Sequence, residues 1–273
     1  MTRHRGTFKP EMTEPYEISR SRVENFIKCP ACFWMDRVKG IKLPETPQFL
    51  LNSATDRLLK KDFDKYRKLQ KPHPLMIRHG LGHLVPYGHE DFEKWTQSTQ
   101  LGLRTTFEPA NFIFGGGLDD VWHDPVKDEL FVVDYKSTAG GKSEDETKLK
   151  PISLDGPWKG GLKRQMDMYQ WILRQNGFKV NPTGYFLYVN GDQHFQNGML
   201  VEDLDMAMMN FDVQLISYDA DDSWVPDTLM QIKACLHQAE CPEHADTGFG
   251  QREDEPCHNN RFLQGVKQHN LLF

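Results

Sequence analysis

Three charged side chains on two neighbouring predicted strands have the spacing of a hydrolytic site. Asp134 and Lys136 lie two residues apart near the end of the apolar run 130–136. Because side chains alternate along a strand, both are expected to point to the same face of a sheet. Asp119 lies on the preceding predicted strand, before a turn at residues 124–128. Two carboxylates and a lysine that converge on one sheet face suit hydrolysis of a phosphodiester with a divalent cation.

The residue types assign each of these groups a role in that chemistry. We expect Asp119 and Asp134 to bind Mg²⁺ or Mn²⁺, since hard cations prefer oxygen ligands. The backbone carbonyl of Tyr135 adds a further oxygen. Lys136 would orient or activate the attacking water and stabilise charge on the phosphate. By spacing alone, an ordinary hairpin with a surface Asp–Lys pair fits equally well.

A second polar group lies on the predicted helix 162–176. Gln165 and Tyr169 are four residues apart and share one helical face. Gln165 can donate to a phosphate oxygen or a base, and Tyr169 can stack or donate to a nucleic-acid backbone. With the adjacent Lys163 and Arg164, they form a predicted DNA-binding surface. One polar and one aromatic residue at a helix boundary are also common without any such function.

The ordered set of motifs resembles the PD-(D/E)xK nuclease superfamily and, within it, the RecB-like branch, and is similar to the CRISPR-adaptation nucleases. That branch has the pattern G-x-x-D-x-V, then a strand ending in D-x-K, then Q-x-x-x-Y on the next helix. The matching segments are Gly116–Val121, Val133–Lys136 and Gln165–Tyr169, and residues 19–33 also resemble the opening of such proteins. The resemblance covers residues 18–240.

This resemblance implies a fold, a reaction and a set of cofactors. The fold is α/β, a restriction-endonuclease-like core with a central mixed β-sheet flanked by helices. The reaction is DNA hydrolysis with Mg²⁺ or Mn²⁺, by an exonuclease that acts on single-stranded DNA or DNA ends. Its context would be repair, recombination, or phage or CRISPR DNA processing, with partner proteins of such a system. Asp119, Asp134, Lys136, Gln165 and Tyr169 are then the catalytic residues.

One expected ligand of the family differs in this chain. Relatives place a histidine on the first core helix, whereas the segment 51–58 presents Asp56 there. An aspartate can bind a hard cation but supplies no nitrogen ligand, which would shift preference toward Mg²⁺. Asp56 is either such a ligand or no ligand at all. Asp120 is a neighbouring carboxylate, but on a strand it points away from Asp119.

The resemblance also raises an iron–sulfur cluster, which many relatives bind with four cysteines from both ends of the domain. Cys29 and Cys32 could supply two ligands, and Cys235, Cys241 and Cys257 could supply the others. The C-terminal C-x-x-C of relatives is absent. Three histidines make zinc an alternative; they are His237, His244 and His258. The cysteines could equally be buried small hydrophobic residues without a metal.

Bulk properties limit the other function classes. The net charge of −6 argues against a non-specific, histone-like DNA binder. The chain has no apolar run long enough to cross a membrane and no apolar stretch after its first residues, so we expect a soluble cytoplasmic protein without membrane contact. Two other functions stay open: a non-catalytic nucleic-acid-binding or assembly subunit with the nuclease fold, and a metalloprotein whose cysteine-bound cluster is the working part.

The elements that must position these residues follow from periodicity and turn signals. We predict a flexible arm over residues 1–17, a nuclease domain over 18–240 and a C-terminal tail over 241–273. A capping box at 21–24 should open the first helix. In the next helix Leu51, Ala54 and Leu58 should form one apolar row, and Leu59, Phe63 and Tyr66 should widen the stripe. Further predicted helices cover 91–101 and 223–238. The predicted strands are 103–109, 111–122, 130–137, 183–189 and 211–218.

Overall fold

The fold of the chain is a mixed α/β structure built on two sheets. The computed structural model describes residues 5–41, 50–97, 101–141, 149–156, 159–193, 198–201 and 204–245. The helices are α1 (Arg20–Lys28), α2 (Pro30–Val38), α3 (Leu50–Leu69), α4 (Pro74–Arg78), α5 (Phe92–Trp95), α6 (Gly160–Gln175) and α7 (Val225–Leu236). The strands are β1 (Tyr16–Ser19), β2 (Val85–Pro86), β3 (Leu103–Phe107), β4 (Phe112–Gly116), β5 (Asp120–Asp124), β6 (Glu129–Thr138), β7 (Thr183–Gly191) and β8 (Phe211–Asp219).

The larger sheet contains five strands in the order β2-β5-β6-β7-β8. Strands β6 and β7 are parallel, and the other neighbours are antiparallel. The parallel pair requires a crossover, and α6 provides it. The prediction of an α/β fold with a central mixed sheet and flanking helices is therefore confirmed.

The two faces of β6 pack against different helices. Phe131, Val133 and Tyr135 belong to an apolar cluster with Phe63 of α3. Leu130 and Val132 belong to the larger core, which includes most of the buried face of α6. The alternation therefore places Asp134 and Lys136 on the α6 side of the sheet, as the sequence pattern predicts.

The smaller sheet has the order β1-β4-β3, and it corrects one prediction about the strands. The sequence predicts one strand over 111–122, but the chain leaves the small sheet after Gly116 and enters the large sheet at Asp120. Leu118, in the connection, is buried. The apolar pattern continues across the connection because the chain stays inside the core, so periodicity could not reveal the change of sheet.

The helix α3 is rotated relative to the prediction. Leu51 and Leu58 are 60% and 59% exposed, while Thr55 and Phe63 are buried. Leu59, which the sequence places beside the main row, packs with Phe63 under the large sheet. The row of Leu51 and Leu58 is therefore wrong, whereas the widening residues Leu59 and Phe63 face the core, because the predicted stripe is wide enough for the sheet to select one side of it.

Several element ends also differ from the sequence prediction. The helix α1 begins at Arg20, with Ser19 as its N-cap and no side-chain capping bond, so the predicted capping box at 21–24 is wrong. The predicted helix over 91–101 is shortened to α5. Within the segment predicted as an arm, Phe8 and Tyr16 are buried in the core, and their rings pack edge to face. Across the described ranges, none of the helices has the length and apolar character needed to cross a membrane.

Candidate active site

The ends of β5 and β6 bring the predicted carboxylates together. The register pairs Asp120 with Val133, so Asp119 comes next to Asp134 where β5 begins. The backbone N–H of Tyr135 donates to Asp119 Oδ2 at 3.0 Å. The Lys136 ammonium forms an ion pair with Asp134 Oδ2 and lies 3.3 Å from the Tyr135 carbonyl oxygen. The three groups and the carbonyl predicted from the sequence thus form one cluster.

The helix α6 holds this cluster from the other side. Gln165 Nε2 donates to Asp134 Oδ1 at 2.7 Å, which fixes the orientation of a carboxylate that is 1% exposed. The hydroxyl of Tyr169 donates to the carbonyl of Gly117. A Cβ at Gly116 would lie 3.0 Å from the Tyr169 hydroxyl oxygen, so glycine permits the close approach. Gln165 and Tyr169 are both buried, and they contact the site and the turn that carries Asp119.

A third carboxylate reaches the cluster from α3. Lys60 Nζ lies 3.0 Å from Asp56 Oδ2 and 3.4 Å from Asp119 Oδ1, so one ammonium joins the two acids. Thr55 also contacts Ser137 of β6, which fixes this part of α3 against the strand. The position predicted as the substitute for the family histidine therefore lies beside the other carboxylates.

Lys60 is the site residue that the sequence interpretation missed. It belongs to a run of basic residues on α3 that reads as a solvated helix face. The available signal was its spacing of four residues from Asp56, which places the two side chains on one side of the helix. Arg67 of the same run is also not solvated, because its guanidinium binds Asp120 at 2.6 Å and lies over the Phe92 ring.

Burial and a neighbouring carboxylate raise the pKa values of Asp134 and Asp56. Burial raises the pKa of Asp134 to about 7; Lys136 opposes the shift and the Asp119 carboxylate adds to it. Burial and Asp119 also raise the pKa of Asp56, against the effect of Lys60. Acids crowded in this way are stabilised by a bound cation, which removes their mutual repulsion.

The types of donor at the site suit a hard divalent cation, although lysines bind these carboxylates and the oxygens of Asp56, Asp119 and Asp134 do not all lie within 4.8 Å of one another. The donor set contains carboxylate oxygens of Asp56, Asp119 and Asp134 and the Tyr135 carbonyl, which are the oxygen ligands that Mg²⁺ and Mn²⁺ prefer. Asp134 Oδ2 is deeply buried and, within the described part of the chain, its contact is the ion pair with Lys136 rather than a regular hydrogen bond. Asp120 is not part of this set, since it accepts hydrogen bonds from Arg67 and the Tyr135 hydroxyl on the opposite face.

A family model described as the PD-(D/E)XK nuclease superfamily matches residues 17–232. The chain belongs to the PD-(D/E)XK nuclease superfamily. The match spans all the site residues described above and both sheets of the fold. The search of curated proteins gave no significant match. Membership in this superfamily indicates a nuclease that depends on a divalent metal, which agrees with the oxygen donors at the site.

The predicted DNA-binding residues of the nuclease have partners inside the chain. Arg164 donates two hydrogen bonds to Glu24, at 2.9 and 2.8 Å, and so links α6 to α1. Lys163 Nζ lies 5.8 Å from the centre of the Tyr218 ring. Because Gln165 and Tyr169 are buried, the geometry favours roles for them in positioning the site. DNA contact by Lys163 and Arg164 stays a prediction.

The nuclease also contains a group of soft metal ligands at the junction of α1 and α2. Cys29 Sγ and Cys32 Sγ each lie 3.5 Å from His244 Nδ1, and all three ligand atoms lie within 4.8 Å of one another. The backbone N–H of Cys32 points to Cys29 Sγ, because Cys29 is the N-cap of α2. A helix N-terminus of this kind stabilises a thiolate.

Two other predicted cysteine ligands lie against the backbone between Cys29 and Cys32, outside the group of three ligand atoms. Cys235 Sγ contacts the Pro30 carbonyl at 3.9 Å, and burial raises the pKa of its thiol to about 11. Cys241 Sγ contacts the Ala31 carbonyl at 3.8 Å. His237 packs against the Phe8 ring and does not belong to the group of Cys29, Cys32 and His244. Cys257 and His258 lie outside the described residues.

Proposed function

We propose that the protein is a metal-dependent deoxyribonuclease of the RecB-like branch, acting as an exonuclease on single-stranded DNA or DNA ends. The observation that carries the proposal is the convergence of Asp119, Asp134 and Lys136 with Gln165, in the order of the branch's motifs. Within the superfamily, the motif order at these positions supports the RecB-like assignment. Such a nuclease would work with partner proteins in DNA repair, in recombination, or in phage or CRISPR DNA processing.

Each side chain has a proposed task in hydrolysis. Asp119, Asp134 and the Tyr135 carbonyl would hold Mg²⁺ or Mn²⁺, with Asp56 as a further oxygen ligand. When bound, such an ion polarises the phosphate and lowers the pKa of a bound water. Gln165 holds Asp134 in its orientation, and Tyr169 holds the turn before Asp119 by its bond to Gly117.

The two lysines supply positive charge in different positions. Lys136 lies against Asp134 and the Tyr135 carbonyl, where it can orient a water molecule or neutralise charge that develops on the phosphate. Lys60 lies between Asp56 and Asp119 and restrains both carboxylates. We therefore propose that Lys136 takes part in the reaction and that Lys60 holds the metal-binding carboxylates in place.

The test is cleavage of end-labelled single- and double-stranded DNA with Mg²⁺, with Mn²⁺ and with a chelator. Wild type should release nucleotides from strand ends only with metal, and Asp134→Asn and Lys136→Ala should each lose that activity by a factor of about 10²–10³. The exposed Asp227→Asn on α7 is the matched control and should cleave like wild type.

Other outcomes would contradict this proposal. Equal cleavage by wild type and Asp134→Asn would remove the assigned site. Tight DNA binding by wild type without metal-dependent turnover would favour the non-catalytic binding or assembly subunit. Cleavage of closed circular DNA would show an endonuclease in place of the proposed exonuclease.

We also propose that Cys29, Cys32 and His244 hold zinc. Two thiolates and an imidazole nitrogen are ligands that zinc accepts, whereas iron–sulfur clusters are held mainly by cysteines. The distances of 3.5 Å from each sulfur to the imidazole nitrogen support a shared ion. Such a site would fix the segment near residue 244 to the α1–α2 junction.

A further inference from the structure

A cavity lined by arginines lies beside the start of α1, outside the carboxylate cluster. It encloses about 210 Å³ and is lined by Arg5, Arg22, Arg37 and Arg104, together with Glu17 and Ser19. In the small sheet Ser19, Gly115 and Arg104 lie side by side across the three strands. A single water needs only about 10–15 Å³ by this kind of measure, so the cavity can hold a phosphate group with water around it.

Arginines outnumber acids in the lining of the cavity. Arg5 and Arg104 both bind Glu17, at 2.7 and 2.9 Å. Arg22 and Arg37 both bind Asp36, which is 2% exposed. The lining itself therefore holds four guanidinium groups and one carboxylate, that of Glu17. Each acid also holds its two arginines in place, so little side-chain entropy is lost when an anion binds.

The start of α1 also favours binding of an anion in this cavity. Ser19 lines the cavity and is the N-cap of α1, but its side chain makes no capping hydrogen bond to the helix. The Ser19 hydroxyl contacts Ser21 Oγ at 3.1 Å instead. The first N–H groups of a helix favour an anion, and guanidinium groups bind phosphate oxygens in pairs. Helix and arginines thus favour the same ligand.

The cavity is close to the carboxylate cluster along the chain. Gly116 lines the cavity, and a Cβ there would lie 3.0 Å from the Tyr169 hydroxyl oxygen. Asp119 follows three residues later, a span of at most about 11 Å.

We propose that this cavity binds a backbone phosphate of the DNA strand whose cleaved bond lies at the carboxylate cluster. The proposal rests on the proposed nuclease function and names a part of its substrate site. The arginines would fix how far the strand enters, and thereby which phosphodiester bond reaches Asp119 and Asp134.

The test measures binding without cleavage. Fluorescence anisotropy with a short labelled single strand, in chelator and at several salt concentrations, compares wild type with Arg22→Met and Arg104→Met. Each variant should bind about tenfold more weakly and show a salt slope less steep by about 0.7, as expected for one lost phosphate contact on a single strand. Arg78→Met, an exposed arginine on α4, should bind like wild type.

Further arms identify the phosphate and control for folding. Strands with and without a 5′-phosphate are compared: a loss confined to the phosphorylated strand assigns the terminal phosphate, and an equal loss assigns an internal one. Arg104→Lys should recover part of the affinity, because it keeps the charge without the paired geometry. Melting temperatures show which variants remain folded.

Unchanged affinity and salt slope in both folded methionine variants would overturn the proposal. If inorganic phosphate raises the melting temperature of wild type only, while DNA affinity is the same in all variants, the cavity binds a free anion and the strand assignment is wrong. Failure of the nuclease proposal is seen separately, as a lack of metal-dependent cleavage by wild type in the presence of normal DNA binding.

Discussion

At the scale of single residues, the site depends on how one buried carboxylate is held. Asp134 is 1% exposed, with Gln165 on one oxygen and Lys136 on the other. A buried charge without such partners costs several kcal/mol, by the order of magnitude known for desolvation. The D-x-K spacing predicted the Asp–Lys pair, but no spacing in the sequence showed that Gln165 binds the carboxylate itself.

Gln165→Leu should therefore lower activity without removing a metal ligand. The loss of its hydrogen bond frees Asp134 Oδ1 to rotate, and partners of this kind are worth about 10–100-fold in activity or metal affinity. Steady-state cleavage rates across a Mg²⁺ titration measure both effects. Gln175→Leu, exposed at the end of the same helix, is the control. Equal rates for Gln165→Leu and wild type would show that Asp134 is fixed by Lys136 alone.

At the scale of elements, the sequence predicts most of the fold and the main chemistry. The pairing of β5 with β6 follows from apolar segments on both sides of a clear turn, and it sets the places of Asp134 and Lys136. Two features depend on tertiary packing and escape local patterns. One is the break between β4 and β5, where buried Leu118 keeps the pattern apolar. The other is the rotation of α3, which brings Lys60 to the site while Leu58 stays exposed.

The α1–α2 junction gives a prediction about metal content. Protein purified without oxygen should contain about one zinc ion per chain, because two thiols and an imidazole converge there. Cys32→Ala and His244→Ala should lose the zinc, and Cys235→Ala should keep it, since its sulfur contacts the Pro30 carbonyl instead. Elemental analysis for zinc and iron measures this. Iron in place of zinc, or the same zinc content in Cys32→Ala, would contradict the assignment.

At the scale of the whole molecule, a buried acid on α6 joins three elements. Asp167 accepts hydrogen bonds from the hydroxyl of Tyr218 and from Trp224 Nε1, both at 3.0 Å, so α6 is tied to β8 and to the start of α7. Burial raises the pKa of Asp167 to about 6, against the effect of these two donors. The site helix is thus held by a group whose charge changes under mildly acidic conditions.

This shift predicts a pH dependence of stability. The pKa of Asp167 in the folded state is raised from 3.8 to about 6. The contribution of protonated Asp167 to the free energy of unfolding is therefore complete below pH 3.8 and is lost as the pH rises through 6. The free energy of unfolding of wild type relative to Asp167→Asn should fall by on the order of 1–2 kcal/mol from acid to neutral pH. Urea denaturation at several pH values measures it, with the exposed Asp227→Asn as control. A pH-independent difference would contradict the shift.

The short connection between the two sheets limits where the chain can change in length. Residues 117–119 join β4 of one sheet to β5 of the other, and Asp119 within it accepts the N–H of Tyr135. An inserted residue there would move the carboxylate by up to about 3.5 Å while both sheets could still form. The turn after β5 is different, since Val126 at its tip is 91% exposed and an insertion would extend into solvent. Two loops only a few residues apart therefore differ in whether they tolerate insertions. The connection at 117–119 sets the position of the Asp119 carboxylate, whereas the turn after β5 is free to vary in length.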